Sequence, residues 1–225
     1  LASMGQMAAG IAHEINNPLG VVLMYSHLLK DEIGDASPLS EDVKRIINEA
    51  ERTRKIVRGI LNFAREEKIE RSETDINELL KISAEEMISQ VDRGKYTVEY
   101  ELDGSLGLQY VDSNQLKQVF DNIIKNAIEA MPEGGKMTIE TKKGENEYLI
   151  IISDTGPGIE EKHLSKLFSP FFTTKPVGKG TGLGLPVCYG IVKMHGGNIC
   201  AENNENGGAR FIISIKRSIK EETVA

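Results

Sequence analysis

Apolar residues between Met4 and Leu29 fall at Met4, Met7, Ala8, Ile11, Ile15, Leu19, Val22 and Leu29, the three-and-four spacing of one helix face. The spacing predicts a single long helix. Ile33-Gly-Asp-Ala-Ser-Pro38 combines helix breakers with start signals, and Ser40, followed by Glu41 and Asp42, is placed to cap a second helix. In that helix Val43, Ala50, Val57 and Ala64 recur every seven residues, with Ile46/Ile47, Thr53/Arg54 and Ile60/Leu61 between them. That is a heptad seam. Two helices of this length cannot shield both apolar stripes alone, so two hairpins are expected to pair into a dimeric four-helix bundle.

Past the charged stretch Arg65 to Arg71 the pattern changes. Ile76 to Val91 and Gln115 to Met131 are helical by period, and β-rich runs at Tyr96 to Leu102, Met137 to Lys142, Tyr148 to Ser153, Asn198 to Glu202 and Ala209 to Ile215 supply about five strands. The second half is expected to be an α/β sandwich. The boundary falls near residue 70, giving a helical domain over 1–69 and an α/β domain over 70–225. The glycine-rich stretch Pro170 to Leu185 is longer than an ordinary connection, and loops of that length usually carry function.

Composition narrows the choice of partners. A net charge of -7 offers no basic footprint for nucleic acid. The longest apolar runs fall far short of the roughly 18 residues of a membrane helix, so no membrane contact is expected of this stretch. Cys188 and Cys200 are too few and too far apart for a zinc site or a disulfide framework, and free thiols suit the cytoplasm. The chain opens on Leu1 with no secretory pattern and reads as a piece of a longer protein, any membrane anchor lying outside it.

His13 lies two positions from Ile11 and from Ile15, about 200° around a helix from each, and is expected to face solvent. A neutral imidazole offers one ring nitrogen to an electrophile, and Glu14 is placed to take the proton that the other nitrogen sheds. A surface His-Glu pair is commonplace, so context has to decide. The zinc-protease pattern His-Glu-x-x-His fails here, because its last position is Asn17. His13-Glu-Ile-Asn-Asn-Pro-Leu19 closely resembles the phosphoacceptor box of sensor histidine kinases, particularly the nitrogen-regulation-like group. The resemblance implies that Glu14 is the acid/base partner and that Asn17 orients water for dephosphorylating a partner. Pro18 would kink the helix there in any case.

Asn122 and Asn126, four apart, project two amides from one helix face. An amide oxygen can serve Mg²⁺ when triphosphate oxygens and water complete the shell. Asp154-Thr-Gly156-Pro-Gly158 follows an apolar strand, setting a carboxylate beside a backbone that can approach a flat ligand. In isolation it could equally be a tight turn. Gly178-Lys-Gly180-Thr-Gly182-Leu-Gly184-Leu precedes a helical stretch, Pro186 to His195, so backbone N–H groups there can cradle phosphates. Both the P-loop and the dinucleotide fingerprint fail, at Thr173 and at Leu185 respectively.

The asparagine helix, Asp154-x-Gly-x-Gly158, Leu167-Phe168-x-x-Phe171-Phe172 and Gly180-Thr-Gly-Leu-Gly184 together resemble the nucleotide boxes of the histidine-kinase/gyrase/Hsp90/MutL ATPase superfamily. By that resemblance ATP binds with Asn126 on Mg²⁺, Asp154 on the adenine amino group and Gly156 and Gly158 flanking the base. Asn122 belongs to the same ATP site, Gly180, Thr181, Gly182, Leu183 and Gly184 bind phosphates, and Lys175 is a further phosphate contact. The helical half is then the dimerisation and phosphoacceptor domain, and the α/β half the catalytic domain. Hydrolysing relatives carry a glutamate where this chain has Asn122, and an amide cannot act as that base. The expected activity is autophosphorylation of His13 and transfer to an aspartate of a response-regulator receiver domain, with phosphatase capability. A superfamily ATPase and an ATP-binding pseudokinase scaffold are the alternatives. His195, before Gly196-Gly197, is expected to close a helix as a C-terminal cation. His27, His163 and the three phenylalanines are assigned no chemistry.

Overall fold

The computed structural model describes residues 2–35, 37–64, 69–176 and 180–217, with side chains throughout these except at 2–13, 55, 56, 58–64 and 93. They fall into two compact units, Leu1–Glu67 with Pro170–Gly184, and Lys68–Ser169 with Leu185–Ala225.

The first unit holds the helical hairpin, α1 (Ala2–Ile33) packed along α2 (Ser40–Ala64). The heptad positions Val43, Ala50 and Val57 are buried, as are Leu23 and Ser26 of α1. Ile15, Val22 and Leu29, seven apart on the apolar stripe of α1, stay 38%, 45% and 45% exposed. The stripe read from sequence is therefore only partly covered, Leu19 being half-buried and these three exposed. Ser40 differs from its expected role. It is the first residue of α2 rather than its cap, and its buried hydroxyl has no hydrogen-bond partner among the described residues. The turn is closed instead by Ser37, whose Oγ accepts from the Leu39 N–H at 3.3 Å and whose carbonyl accepts from the Ser40 N–H at 3.0 Å.

The second unit is built on a five-stranded sheet in the order β2 (Tyr96–Glu101), β4 (Gly135–Lys143), β5 (Glu147–Asp154), β7 (Ala209–Lys216), β6 (Asn198–Asn203). All neighbours are antiparallel except β2 and β4, whose parallel pairing requires the crossover that α4 (Ser113–Ala130) supplies. Alternation along the strands turns Met137, Ile139, Tyr148, Ile150, Ile152, Phe211, Ile213 and Ile215 to one core. There they meet α3 (Ile76–Ser89) through Ile76, Leu80 and Ala84, α4 through Leu116, Phe120, Ile123 and Ile124, and α6 (Gly184–Met194) through Val187, Cys188, Ile191 and Val192. Asp75 and Asp112 cap α3 and α4 by accepting from the N–H groups of Glu78 and Gln115. A short pair, β1 (Ser72–Asp75) with β3 (Leu108–Val111), and a one-turn helix α5 (Glu161–Leu164) were not evident from the hydrophobic pattern. Among the described residues no helix is long and apolar enough to cross a membrane.

Candidate active site

His13 lies on α1, and its side chain, with the expectation that it faces solvent, is outside the described residues. Glu14 and Asn17 follow it as exposed residues of the same helix. Pro18 continues the helix but has no N–H for the Glu14 carbonyl, so the backbone beside the His-Glu pair loses a regular hydrogen bond.

In the second unit three separated stretches of sequence converge. The apolar stripe of α4 locks the helix onto the sheet and leaves Asn122 and Asn126 half-buried on its remaining face. Asn122 hydrogen-bonds the Cys188 thiol of α6, and the Cys188 Sγ also lies 3.8 Å from the Val119 carbonyl. Burial pushes that thiol up to about 12, so Cys188 is a packing residue between two helices and no nucleophile. At the end of β5 Asp154 is buried, and its Oδ1 accepts from the Gly156 N–H at 2.8 Å and the Ala209 N–H at 3.3 Å. Its other oxygen makes no hydrogen bond to a described residue. Burial raises the carboxyl above its ordinary value, and the two N–H groups pull it back.

Gly156 belongs where it is for a measurable reason. A Cβ there would lie 2.9 Å from Asp154 Oδ1 and 3.2 Å from the Ala130 carbonyl at the end of α4. The loop after β5 is thus pressed against the last turn of the helix that carries Asn126. Gly158 has a φ of +78°, and a Cβ there would meet Asn203 Oδ1 at 2.8 Å. Asn203 holds Ile159 with both ends of its amide, accepting from the N–H and donating to the carbonyl, each at 2.7 Å. Asn204 donates to the carbonyls of Asp154 and Ala209, both at 3.2 Å.

In the first unit the glycine loop closes on itself, with the Phe171 N–H donating to the Gly182 carbonyl at 2.9 Å. Both residues are left-handed, at φ +67° and +65°, and a Gly182 Cβ would come within 2.4 Å of the Phe171 carbonyl carbon, so only glycine fits there. Gly180 packs against Thr173 and the stem of half-buried Lys175. Thr181 is exposed, Leu183 is buried, and Gly184 opens α6. Gly178 lies outside the described residues. Phe168 packs on Tyr189 of α6, ring centroids 5.9 Å apart.

His195 does not act as the helix-end cation expected of it. The ring is buried, the Asp112 N–H donates to Nε2 at 3.2 Å, and Nδ1 sits 2.9 Å from the Ile191 carbonyl. An accepting Nε2 leaves the proton on Nδ1, so the ring is neutral and ties the start of α4 to the end of α6. Sequence offered the helix end but not the neighbouring helix that covers it. Asn203 and Asn204 were missed as well, since the Asn-Gly-Gly that follows signals only a hairpin turn.

An α1 bearing His-Glu-Ile-x-Asn-Pro-Leu, and an α/β unit whose amide-bearing helix packs at its last turn against the loop after a buried strand-end carboxylate, are the features expected of a histidine kinase core. Comparison with known proteins agrees. Residues 3–69 match the His Kinase A (phospho-acceptor) domain, and residues 111–219 match the Histidine kinase-, DNA gyrase B-, and HSP90-like ATPase family. The sensor kinase CckA of Brucella abortus (strain 2308) is 35% identical over 98% of this chain and 25% of its own length. The catalytic domain of the histidine kinase ThkA is 37% identical, with a TM-score of 0.60 over 66% of this chain and 96% of that one. ThkA in complex with the response regulator protein TrrA gives 33% identity and a TM-score of 0.69, covering 96% of this chain and 62% of that one. The chain belongs to the histidine kinase family. It spans about a quarter of the length of the first curated relatives it matches.

Proposed function

We propose that this chain is the core of a two-component sensor kinase, which moves the γ-phosphoryl group of Mg-ATP to His13 and on to an aspartate of a response-regulator receiver domain. Residues 1–69 are its dimerisation and phosphoacceptor domain, and 70–225 its catalytic domain. The observation that carries this reading is the packing of the Asp154–Gly158 loop against the last turn of α4, which brings a buried carboxylate to the helix bearing Asn122 and Asn126. Asp154 is the acceptor for the adenine amino group through the carboxylate oxygen its own backbone partners leave open. Gly156 and Gly158 let the base approach, and Gly180, Thr181, Gly182, Leu183 and Gly184 receive the phosphates, with Lys175 beside Gly180 as a further contact.

The donor set suits magnesium. Asn126 is half-buried on the face of α4 that its apolar stripe leaves, and its amide oxygen would hold the ion together with phosphate oxygens and water. Bound there, Mg²⁺ would offset the charge of the phosphate oxygens as the group departs. Asn122 cannot take a proton from water, and its amide is engaged with Cys188, so hydrolysis is disfavoured relative to transfer. A His13 ring nitrogen forms the new N–P bond as the P–O bond to ADP breaks, and Glu14 takes the proton from the other nitrogen. Asn17, one turn beyond, orients water for dephosphorylating the regulator.

The partner is inferred from ThkA, a relative crystallised with its response regulator. The uncovered stripe Ile15, Val22 and Leu29 supports a homodimer. Net acidity argues against nucleic acid, and the free thiols favour the cytoplasm. His13→Ala is expected to abolish acid-labile ³²P labelling of the chain from [γ-³²P]ATP. Labelling that persists moves the acceptor elsewhere, and rapid phosphate release without labelling indicates an ATPase.

A further inference from the structure

The hairpin of β6 and β7 lies beyond every nucleotide motif in the sequence, yet its turn grips the loop after β5 at both ends. At the far end the Asn203 amide pairs twice with the Ile159 backbone, completing the hydrogen bonds that a neighbouring strand would have made. At the near end Asn204 Nδ2 bridges the Asp154 and Ala209 carbonyls, and the Ala209 N–H reaches Asp154 Oδ1. The approach leaves no slack. A Cβ on Gly208, whose φ is +86°, would fall 1.9 Å from the Asp154 carbonyl oxygen, and one on Gly158 would strike Asn203. Between the two grips Thr155 is tied to β4, its N–H donating to the Lys136 carbonyl at 3.1 Å and its Oγ1 accepting from the Lys136 N–H at 3.0 Å, and beyond it lie Gly156, Pro157 and Gly158, two of them glycines that could not hold a fixed shape unaided.

We propose that Asn203 and Asn204 are positioning residues that set the base preference of the nucleotide site, by clamping the Asp154–Ile159 loop so that the open Asp154 oxygen keeps one direction. The clamp rests on the reading of Asp154 as the adenine acceptor. A carboxylate of fixed direction favours a donor at the 6-position of a purine and disfavours an acceptor there, so fixing it bears on ATP against ITP, which carries a 6-oxo group. A loosened loop lets the carboxylate swing aside and loses that discrimination, while the phosphate and phosphoacceptor groups are untouched.

The test measures kcat and KM for His13 labelling with Mg-ATP and with Mg-ITP in the chain and in its Asn203→Ala, Asn204→Ala and Asp154→Asn variants. Losing one or two such hydrogen bonds is expected to raise KM for ATP about 3- to 10-fold with kcat within about twofold, and to shrink the ATP/ITP preference by a similar factor. Asp154→Asn, whose amide can donate to a 6-oxo group, is expected to erase or invert the preference. If Asp154→Asn erases it and the folded Asn203→Ala and Asn204→Ala variants leave it unchanged, the clamp is wrong and the adenine reading stands. If the preference survives Asp154→Asn, both fall. Should the alanine variants not fold, amide hydrogen exchange of the unaltered chain without nucleotide decides the matter. Protection at Ile159 and Ala209 upholds the clamp, and exchange at the rate of an open loop overturns it.

Discussion

Val22 and Leu29 of the helical hairpin are nearly half exposed, whereas Ile124, Ile139 and Ile150 of the α/β unit are fully buried, although all five are aliphatic residues on regular elements. The difference lies in what each element has to pack against. A strand with alternating side chains presents one apolar face, and α3, α4 and α6 together cover it. Helix α1 is apolar over more of its circumference than one neighbour can cover. Its Leu23 and Ser26 are buried, and Ile15, Val22 and Leu29 remain over. The α/β unit covers its own apolar faces within a single chain, whereas the hairpin leaves apolar surface that the proposed second copy would cover.

Charging the uncovered stripe is the strongest way to break this contrast. Val22→Glu with Leu29→Glu puts like charges on both sides of a twofold seam, and the dimer is expected to weaken by at least about 100-fold, since each buried unpaired charge costs about 3–5 kcal/mol. Light scattering over a concentration series measures it, and the thermal transition of the α/β unit should not move. The reciprocal change is Phe120→Ala, which empties a fully buried site between α4 and the sheet. It is expected to cost the α/β unit about 3–5 kcal/mol, seen in denaturant titration, with no change in dimer mass. A substitution in either unit that shifted both measurements would mean that the two are not energetically separate.

The same contrast governs what could be read from sequence. The strands at 135–143, 147–154 and 209–216 stand within two residues of their expected positions, because strongly apolar alternation leaves little choice of face. Ser72–Asp75 has no apolar residue at all, and its strand exists through backbone pairing with β3 in a chain held just upstream, where the Glu70 N–H donates to Asp112. Periodicity found the stripe on α1 but not which part of a broadly apolar helix is covered. In the site, the amide pair on α4 and the glycine after Asp154 were legible because their spacing is local. Asn203 and Asn204 were not, since Ile159 lies 44 residues from the first and Asp154 lies 50 from the second. No local pattern carries that information.

His195 gives the finest of these tests, because only a self-covered unit can keep an imidazole neutral by burial. Desolvation lowers its pKa most, and the nearby Arg71 charge adds to that. The Ile191 carbonyl, accepting from Nδ1–H, and the Asp112 carboxylate act the other way. The folded value therefore lies below the unfolded one near 6.5. Below about pH 6.5 the unfolded chain takes up a proton that the folded chain refuses, so stability is complete above that pH and declines as pH falls, levelling off below the folded value. Asp154 contributes with the opposite sign, its raised carboxyl making stability decline as pH rises from about 3.8. Subtracting a variant removes that background. His195→Leu should be less stable than the parent at pH 8, having stranded the Asp112 N–H and the Ile191 carbonyl, and the deficit should shrink as the pH falls from 7.5 to 5.5. A deficit that stays constant over that interval would mean that the ring takes up a proton as readily folded as unfolded. The α/β unit would then be less closed at this corner than its hydrogen bonds require.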